Sequence, residues 1–307
     1  MKRYQMPRLD SKFMVIALSV LILLYFIVLP LAVLIIDSVV VDGHLDVSSY
    51  LTVYGQAVNM RALTNTAKIS ILVMILSVLI TFPLAWLIGR TDLPGRKKFR
   101  TILVVSYMIP PYVGAIAWTQ LLNPDVGYLN ALLKTIFSLS KAPFNIYTEG
   151  GLIWVLTLFY SPFAFITISR AMEKMDPTLE EASRVSGASP LRVLWDVTLP
   201  LMAPSILAGG LLVFIGAGSA FGIPAIVGMP GNIEVLTTRI VSFVYMGNDS
   251  GIRNATTLAV SLMILANGLL FFMTWFMGRK DYTTIGGKST RPALVELGKW
   301  KGLATFL

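Results

Sequence analysis

Six stretches without a charged side chain, each about as long as a bilayer's hydrocarbon core is thick, limit this chain to one kind of fold. They occupy residues 13–36, 69–88, 101–122, 150–169, part of 197–233, and 254–278. Crossing about 30 Å of hydrocarbon takes roughly 20 helical residues, and in lipid only helices and closed barrels satisfy every backbone polar group. Of the 307 residues, 55% are hydrophobic and 13% charged, with a mean hydropathy of +0.74. A soluble domain carries about a quarter charged residues. The expected fold is therefore all-α, a polytopic membrane protein with six transmembrane helices. The fifth stretch counts once, because Pro204, Pro224, Gly228 and Pro230 leave room for one helix plus a re-entrant segment. The first stretch follows Lys2, Arg3, Arg8 and Lys12, exceeds a signal-peptide core in length and lacks a small-x-small cleavage site, so it reads as a retained anchor.

Orientation follows from the basic residues. With the N-terminus inside, the outer segments hold only Arg61, Lys68, Lys134, Lys141, Arg239 and Arg253 of the 25 Lys and Arg residues. The rest fall inside, which predicts two cytoplasmic termini. The net charge of +9 then lies against anionic headgroups, making membrane lipid a partner and removing any need for nucleic acid. Three regions result: a tail over 1–12, a transmembrane domain over 13–278, and a tail or linker over 279–307.

Enzymatic chemistry finds no foothold. The chain has no Cys, no intramembrane His and no paired intramembrane carboxylate, so no catalytic residue is assigned. His44, the single histidine, is flanked by Asp42 and Asp46, but one imidazole and two carboxylates in a loop read as solvated surface, and no metal ligand is assigned. Gly286, Gly287, Lys288 and Ser289 suggest a phosphate loop, yet Tyr282 stands where its first Gly belongs. No cofactor is expected on this chain. Spans without an ionisable side chain in their core also argue against an ion-driven carrier or a charged filter, which keep such groups in the membrane.

The segment 176–200 is polar, lies between two apolar spans and breaks into two short helices. Asp176 can cap a helix whose first turn holds Pro177, Gly187 is a helix stop, and Ser189 with Pro190 opens a second helix. With Glu180 before it, Glu181-Ala182-Ser183, Gly187 and Leu199-Pro200 resemble the Glu-Ala-Ala loop of ATP-binding-cassette importer permeases. Ser183 replaces the second Ala of that motif. Asn65-Thr66, Ile109-Pro-Pro-Tyr-Val113 with Trp118, and Gly127-Tyr-Leu-Asn130 are similar to other parts of the same family. Ser219-Ala-Phe-Gly-Ile-Pro224 resembles ferric-iron-type permeases, without the acidic residue many carry near Ser219.

The resemblance implies a type I permease fold with a cytoplasmic coupling loop over 173–200, in a bacterial inner membrane. It implies two ATPase subunits carrying ATP and Mg²⁺, a second permease half in a homo- or heterodimer, and a solute-binding protein outside. Glu181 would make polar contacts in the ATPase groove, Ala182 and Ser183 would allow close approach, Gly187 would turn the chain, and Pro200 would fix entry to the fifth span. Residues 282–301 look like the linker of fused two-half permeases. Ferric iron is one implied solute; polyamine, phosphonate, thiamine or sugar are others.

Tyr107, Pro110, Tyr160, Ser219 and Phe221 are candidates for lining a solute path, although aromatic residues and prolines in spans also serve packing. A channel or secondary carrier would instead conduct without ATPase partners, and a membrane scaffold would bind none.

Overall fold

The computed structural model describes residues 11–41, 43–278, 294–298 and 301–306. Among these residues twelve helices run in order: α1 (Met14–Val39), α2 (Ser48–Gly55), α3 (Ala57–Arg90), α4 (Arg96–Val105), α5 (Pro111–Leu122), α6 (Tyr128–Phe137), α7 (Glu149–Lys174), α8 (Thr178–Val185), α9 (Pro190–Gly218), α10 (Leu236–Val244), α11 (Asp249–Gly278) and α12 (Lys301–Phe306). A two-residue hairpin, β1 (Val40–Val41) with β2 (His44–Leu45), follows α1. Here Asp46 is occupied with Ser48, whose N–H donates to its Oδ1 at 2.7 Å, while Asp42 lies outside the described residues. Residues 1–10, and the Gly286–Ser289 and 282–292 readings, also lie outside them.

Five helices, α1, α3, α7, α9 and α11, are long and apolar enough to cross a membrane. The expected third crossing over 101–122 is not one helix. It divides into α4, a 3₁₀ turn over Ser106–Met108, and α5. Consecutive prolines explain the break. A residue before proline is pushed out of the helical region, and Pro110 accordingly sits at φ −57°, ψ 128°.

Two of the other spans accommodate a proline by widening, while Pro83 in α3 and Pro162 in α7 stand inside unbroken α-helix. In α1 the turn Leu24–Val28 is π-helical and Leu29 N–H bonds back to Leu24 O; in α9 the turn Leu194–Thr198 is π-helical and Leu199 N–H bonds to Leu194 O. Each turn precedes a proline, Pro30 or Pro200, whose ring would clash with a carbonyl of the preceding α-turn. The wider i→i+5 turn relieves that clash and leaves the helix unbroken. Pro200 thus stands within a continuous helix rather than at the entry to one.

Helices α3, α7 and α9 form the packed centre, around Val73, Ala85, Leu156, Ala164, Phe165, Ile168 and Val213. The buried stripe of α3 is rich in small and hydroxyl residues, Ala62, Thr66, Ser70, Ser77, Thr81 and Ala85, interleaved with Ile69, Val73 and Ile88. Other large aliphatics of α3, among them Leu76, Leu79 and Ile80, point outward. Helix association in lipid gains nothing from burying leucine, and gains contact from small residues that let backbones approach. Gly209 illustrates this on α9, where an added Cβ would stand 3.1 Å from the Ala164 Cα of α7. A second cluster, Val53, Ala62, Leu236, Phe243, Ala255 and Leu258, ties α2, α10 and α11 to the opposite end of α3.

Candidate functional site

The polar segment after α7 forms a compact elbow. The Thr178 N–H donates to Asp176 Oδ1 at 2.9 Å, which caps α8 across Pro177. That bond holds the Asp176 carboxyl below the usual carboxylate range. At the far end Gly187 N–H donates to Arg184 O and Ala188 N–H to Ser183 O, and Gly187 adopts φ +88°. This is a helix-ending turn that favours glycine. The Ser189 hydroxyl then accepts from Arg192 N–H at 3.4 Å and starts α9, with Pro190 in its first turn.

Glu180 anchors the elbow to the bundle. Its side chain is buried, its Oε2 lies 3.3 Å from Arg90 Nε, and its Oε1 accepts from the Thr198 hydroxyl at 2.6 Å. Arg90 closes α3, and its Nη2 also donates to Met175 O at 3.1 Å. One guanidinium therefore joins a central span to the chain on both sides of Asp176. Buried charges persist only when paired and hydrogen-bonded, so the elbow is braced against α3 rather than hanging from α7. A second tie joins Arg100 of α4 to Glu173. Of the other residues expected here, Ala182 and Gly187 are exposed, Glu181, Ser183 and Leu199 are half-buried, and Pro200 is exposed.

Three large apolar side chains are exposed on the elbow, beside the Arg192–Asp196 ion pair. Val185 is 90% exposed, Leu191 69% and Trp195 64%. The sequence reading did not single out these three, nor Arg90 and Thr198. A lone Arg ending an apolar run of that length was the available signal for Arg90.

A second feature lies within the membrane-spanning part. Tyr160, Ser219 and Phe221 meet in a cavity of about 570 Å³, with Pro111, Tyr112 and Ile226 completing its main walls. Tyr107 and Pro110 do not line it. Tyr107 packs edge-on against Phe163 at 4.9 Å, and Phe163 stacks on Tyr160 at 6.0 Å, so Tyr107 backs the wall. Pro110 caps α5.

Both helical interruptions open onto this cavity. Helix α9 ends at Gly218, and the chain resumes in a π turn over Pro224–Gly228. Ala220 O accepts from the Thr237 hydroxyl at 2.7 Å, Leu236 N–H donates to the Thr66 hydroxyl at 2.8 Å, and Asn65 donates to Glu234 O at 3.0 Å. The Asn65-Thr66 pair stands inside α3 and holds the returning chain. No group of three or more His, Asp or Glu side chains able to hold a metal occurs among the described residues.

The profile of the family described as "Binding-protein-dependent transport system inner membrane component" matches residues 81–279, more than half the chain. The ferric transport system permease protein FbpB of Actinobacillus pleuropneumoniae is 27% identical over 293 residues, covering 94% of this chain and 41% of that protein. The molybdenum transport system permease protein ModB of Escherichia coli K12 is 25% identical over 210 residues, covering 67% of this chain and 89% of that protein. The chain thus spans less than half the length of the FbpB relative. Two crystal structures of bacterial alginate ABC transporters, one holding an alginate pentasaccharide-bound periplasmic protein, contain chains superposing with TM-scores of 0.75 and 0.72 at 19% and 21% identity. Each covers 89% of this chain, and the match takes in 98% and 96% of theirs. The chain belongs to the binding-protein-dependent transport system inner membrane component family, as a multi-pass membrane protein with the fold of an ABC importer permease.

Proposed function

We propose that this chain is the permease subunit through which an ATP-driven importer moves a solute delivered by a binding protein into the cytoplasm. Two ATPase subunits, carrying ATP and Mg²⁺, grip the 173–200 elbow of this chain and that of a second permease half. The observation that carries the reading is the elbow itself: Val185, Leu191 and Trp195 face outward, while Glu180 is locked through Arg90 to α3. Apolar residues exposed on a braced element suit insertion into a partner's groove. The brace passes the partner's motion to a core helix, with the free energy supplied by nucleotide binding in the partner. In this reading both termini and the elbow are cytoplasmic.

Cysteine scanning tests it directly, since the chain has no native Cys. Single cysteines at Val185 and Leu191 should crosslink to a nucleotide-binding subunit in membrane vesicles, with a yield that changes on adding ATP. Absence of any crosslink from both sites, with the subunit inserted, overturns the reading.

Ferric iron as solute is supported by the likeness to FbpB over most of the chain. The cavity favours a second reading, an oxyanion or organic solute. Its walls are aromatic, aliphatic and hydroxyl-bearing without a carboxylate, whereas a hard ferric ion prefers anionic oxygen ligands. Uptake of radiolabelled iron and of molybdate by vesicles containing the assembled transporter separates the two.

A further inference from the structure

Residues 294–298 and 301–306 return to the end of α3 and bind it at Arg90 and Asp92, on either side of Thr91. Val295 N–H donates to Arg90 O at 2.9 Å, and Asp92 N–H donates to Val295 O at 3.2 Å, so that Thr91 and Val295 form a parallel bridge. Leu297 N–H donates to Asp92 Oδ1 at 3.0 Å, and Lys301 Nζ lies 2.6 Å from Asp92 Oδ2. Leu297 and Ala304 pack against the same cluster as Phe99 and Leu103 of α4. Backbone pairing, an ion pair and apolar contact therefore converge on the turn between α3 and α4.

We infer that residues 294–298 with 301–306 are a latch that holds the Arg90–Asp92 turn, and through Arg90 the position of the elbow, so that the latch sets how tightly ATP turnover is tied to transport. The inference rests on the permease reading above. Arg90 is the shared part. Its carbonyl receives the latch while its guanidinium reaches Glu180 and Met175. Releasing Val295 frees the turn that aims that guanidinium. The charges at the latch reinforce one another: Lys301 and the Leu297 N–H hold the Asp92 carboxyl below its ordinary range, and Asp92, helped by Glu296, raises the Lys301 ammonium.

The test compares the intact transporter with Asp92→Asn and Lys301→Ala variants in proteoliposomes, reading ATPase rate without solute and uptake per ATP. Both variants should insert and co-purify with the nucleotide-binding subunit as wild type does. Both should raise solute-free ATPase activity and lower uptake per ATP by threefold or more, and Lys301→Arg should restore the wild-type ratio. Locking the latch should do the opposite: Asp92→Cys with Lys301→Cys, bridged by a short bifunctional thiol reagent, should suppress solute-free turnover reversibly on reduction. An uptake-to-ATP ratio unchanged in both single variants overturns the latch while leaving the permease reading intact. Wild-type vesicles that show no ATP-dependent uptake overturn the permease reading itself, and the latch with it.

Discussion

Arg90 and Glu180 stand 90 residues apart in sequence, and their side chains meet at 3.3 Å, each with less than a twentieth of its surface exposed. Removing one member of a buried pair strands the other charge, at a cost of about 3–5 kcal/mol. Arg90→Met should therefore lower the midpoint of thermal unfolding markedly and reduce co-purification of the nucleotide-binding subunit. Glu180→Gln retains an acceptor for Thr198 and should be milder. Combining Arg90→Met with Glu180→Leu should recover most of the stability without recovering transport, which calorimetry and vesicle uptake measure separately.

Gly187 tests the elbow's turn without altering packing. No atom lies within 4 Å of where its Cβ would stand, so a substitution is opposed by the backbone conformation at φ +88° alone. For a β-branched residue that costs about 1–3 kcal/mol, whereas Asn visits this region readily. Gly187→Val should leave the subunit in the membrane but cut uptake per ATP several-fold, and Gly187→Asn should be near wild type.

Gly114 marks where α5 is pressed against α7. An added Cβ would fall 1.7 Å from the Phe159 Cζ, forcing the ring aside. Overpacking of this kind costs about 1–3 kcal/mol. Gly114→Ala should lower the unfolding midpoint, and adding Phe159→Ala should recover part of the loss.

Ser219 reports on the cavity. In the Cys-free chain, Ser219→Cys should support uptake, and a bulky thiol reagent should then block it by at least tenfold. Solute should protect the cysteine from labelling. Full uptake after complete labelling would remove the cavity from the solute path.

The Asp176 cap has a pH signature. Its folded pKa lies below the ordinary 3.8 because the carboxylate accepts from Thr178 N–H and its hydroxyl. A depressed carboxylate contributes stability above its unfolded pKa and loses it as pH falls through the folded value. Between pH 5 and 8 the cap is fully formed, so elbow crosslinking through Val185 should be flat across that range. Asp176→Ala should lower it uniformly, and Asp176→Asn should not.

The helical course of the chain was largely legible because apolar length is a one-dimensional signal. The elbow was legible too: Asp176, Gly187 and Ser189 act within a few residues of themselves, and each does what its type implies. What escaped the sequence depends on contacts across long separations. Arg90 read as one of many inner-face charges, although it is the brace for Glu180. Pro110 caps α5, and it is Pro111 beside it that faces the cavity, a one-residue difference that composition does not encode. The stretch 101–122 counted as one span because hydropathy does not register two adjacent prolines. In α3 the sequence reading did not single out Ser70, Ser77 or Thr81, yet they make up much of the packing face, since in lipid close backbone approach rather than burial of leucine drives helix association.

The cavity proposed for the solute has tyrosyl, phenyl, prolyl, seryl and aliphatic walls, without a carboxylate, an imidazole or an amine, joined where two spans uncoil. A cargo passing there meets the same electrostatic surroundings at pH 5 as at pH 8. Any acid sensitivity of import should therefore be inherited from capture outside or from the motor inside, and the conduit of this subunit should be indifferent to it.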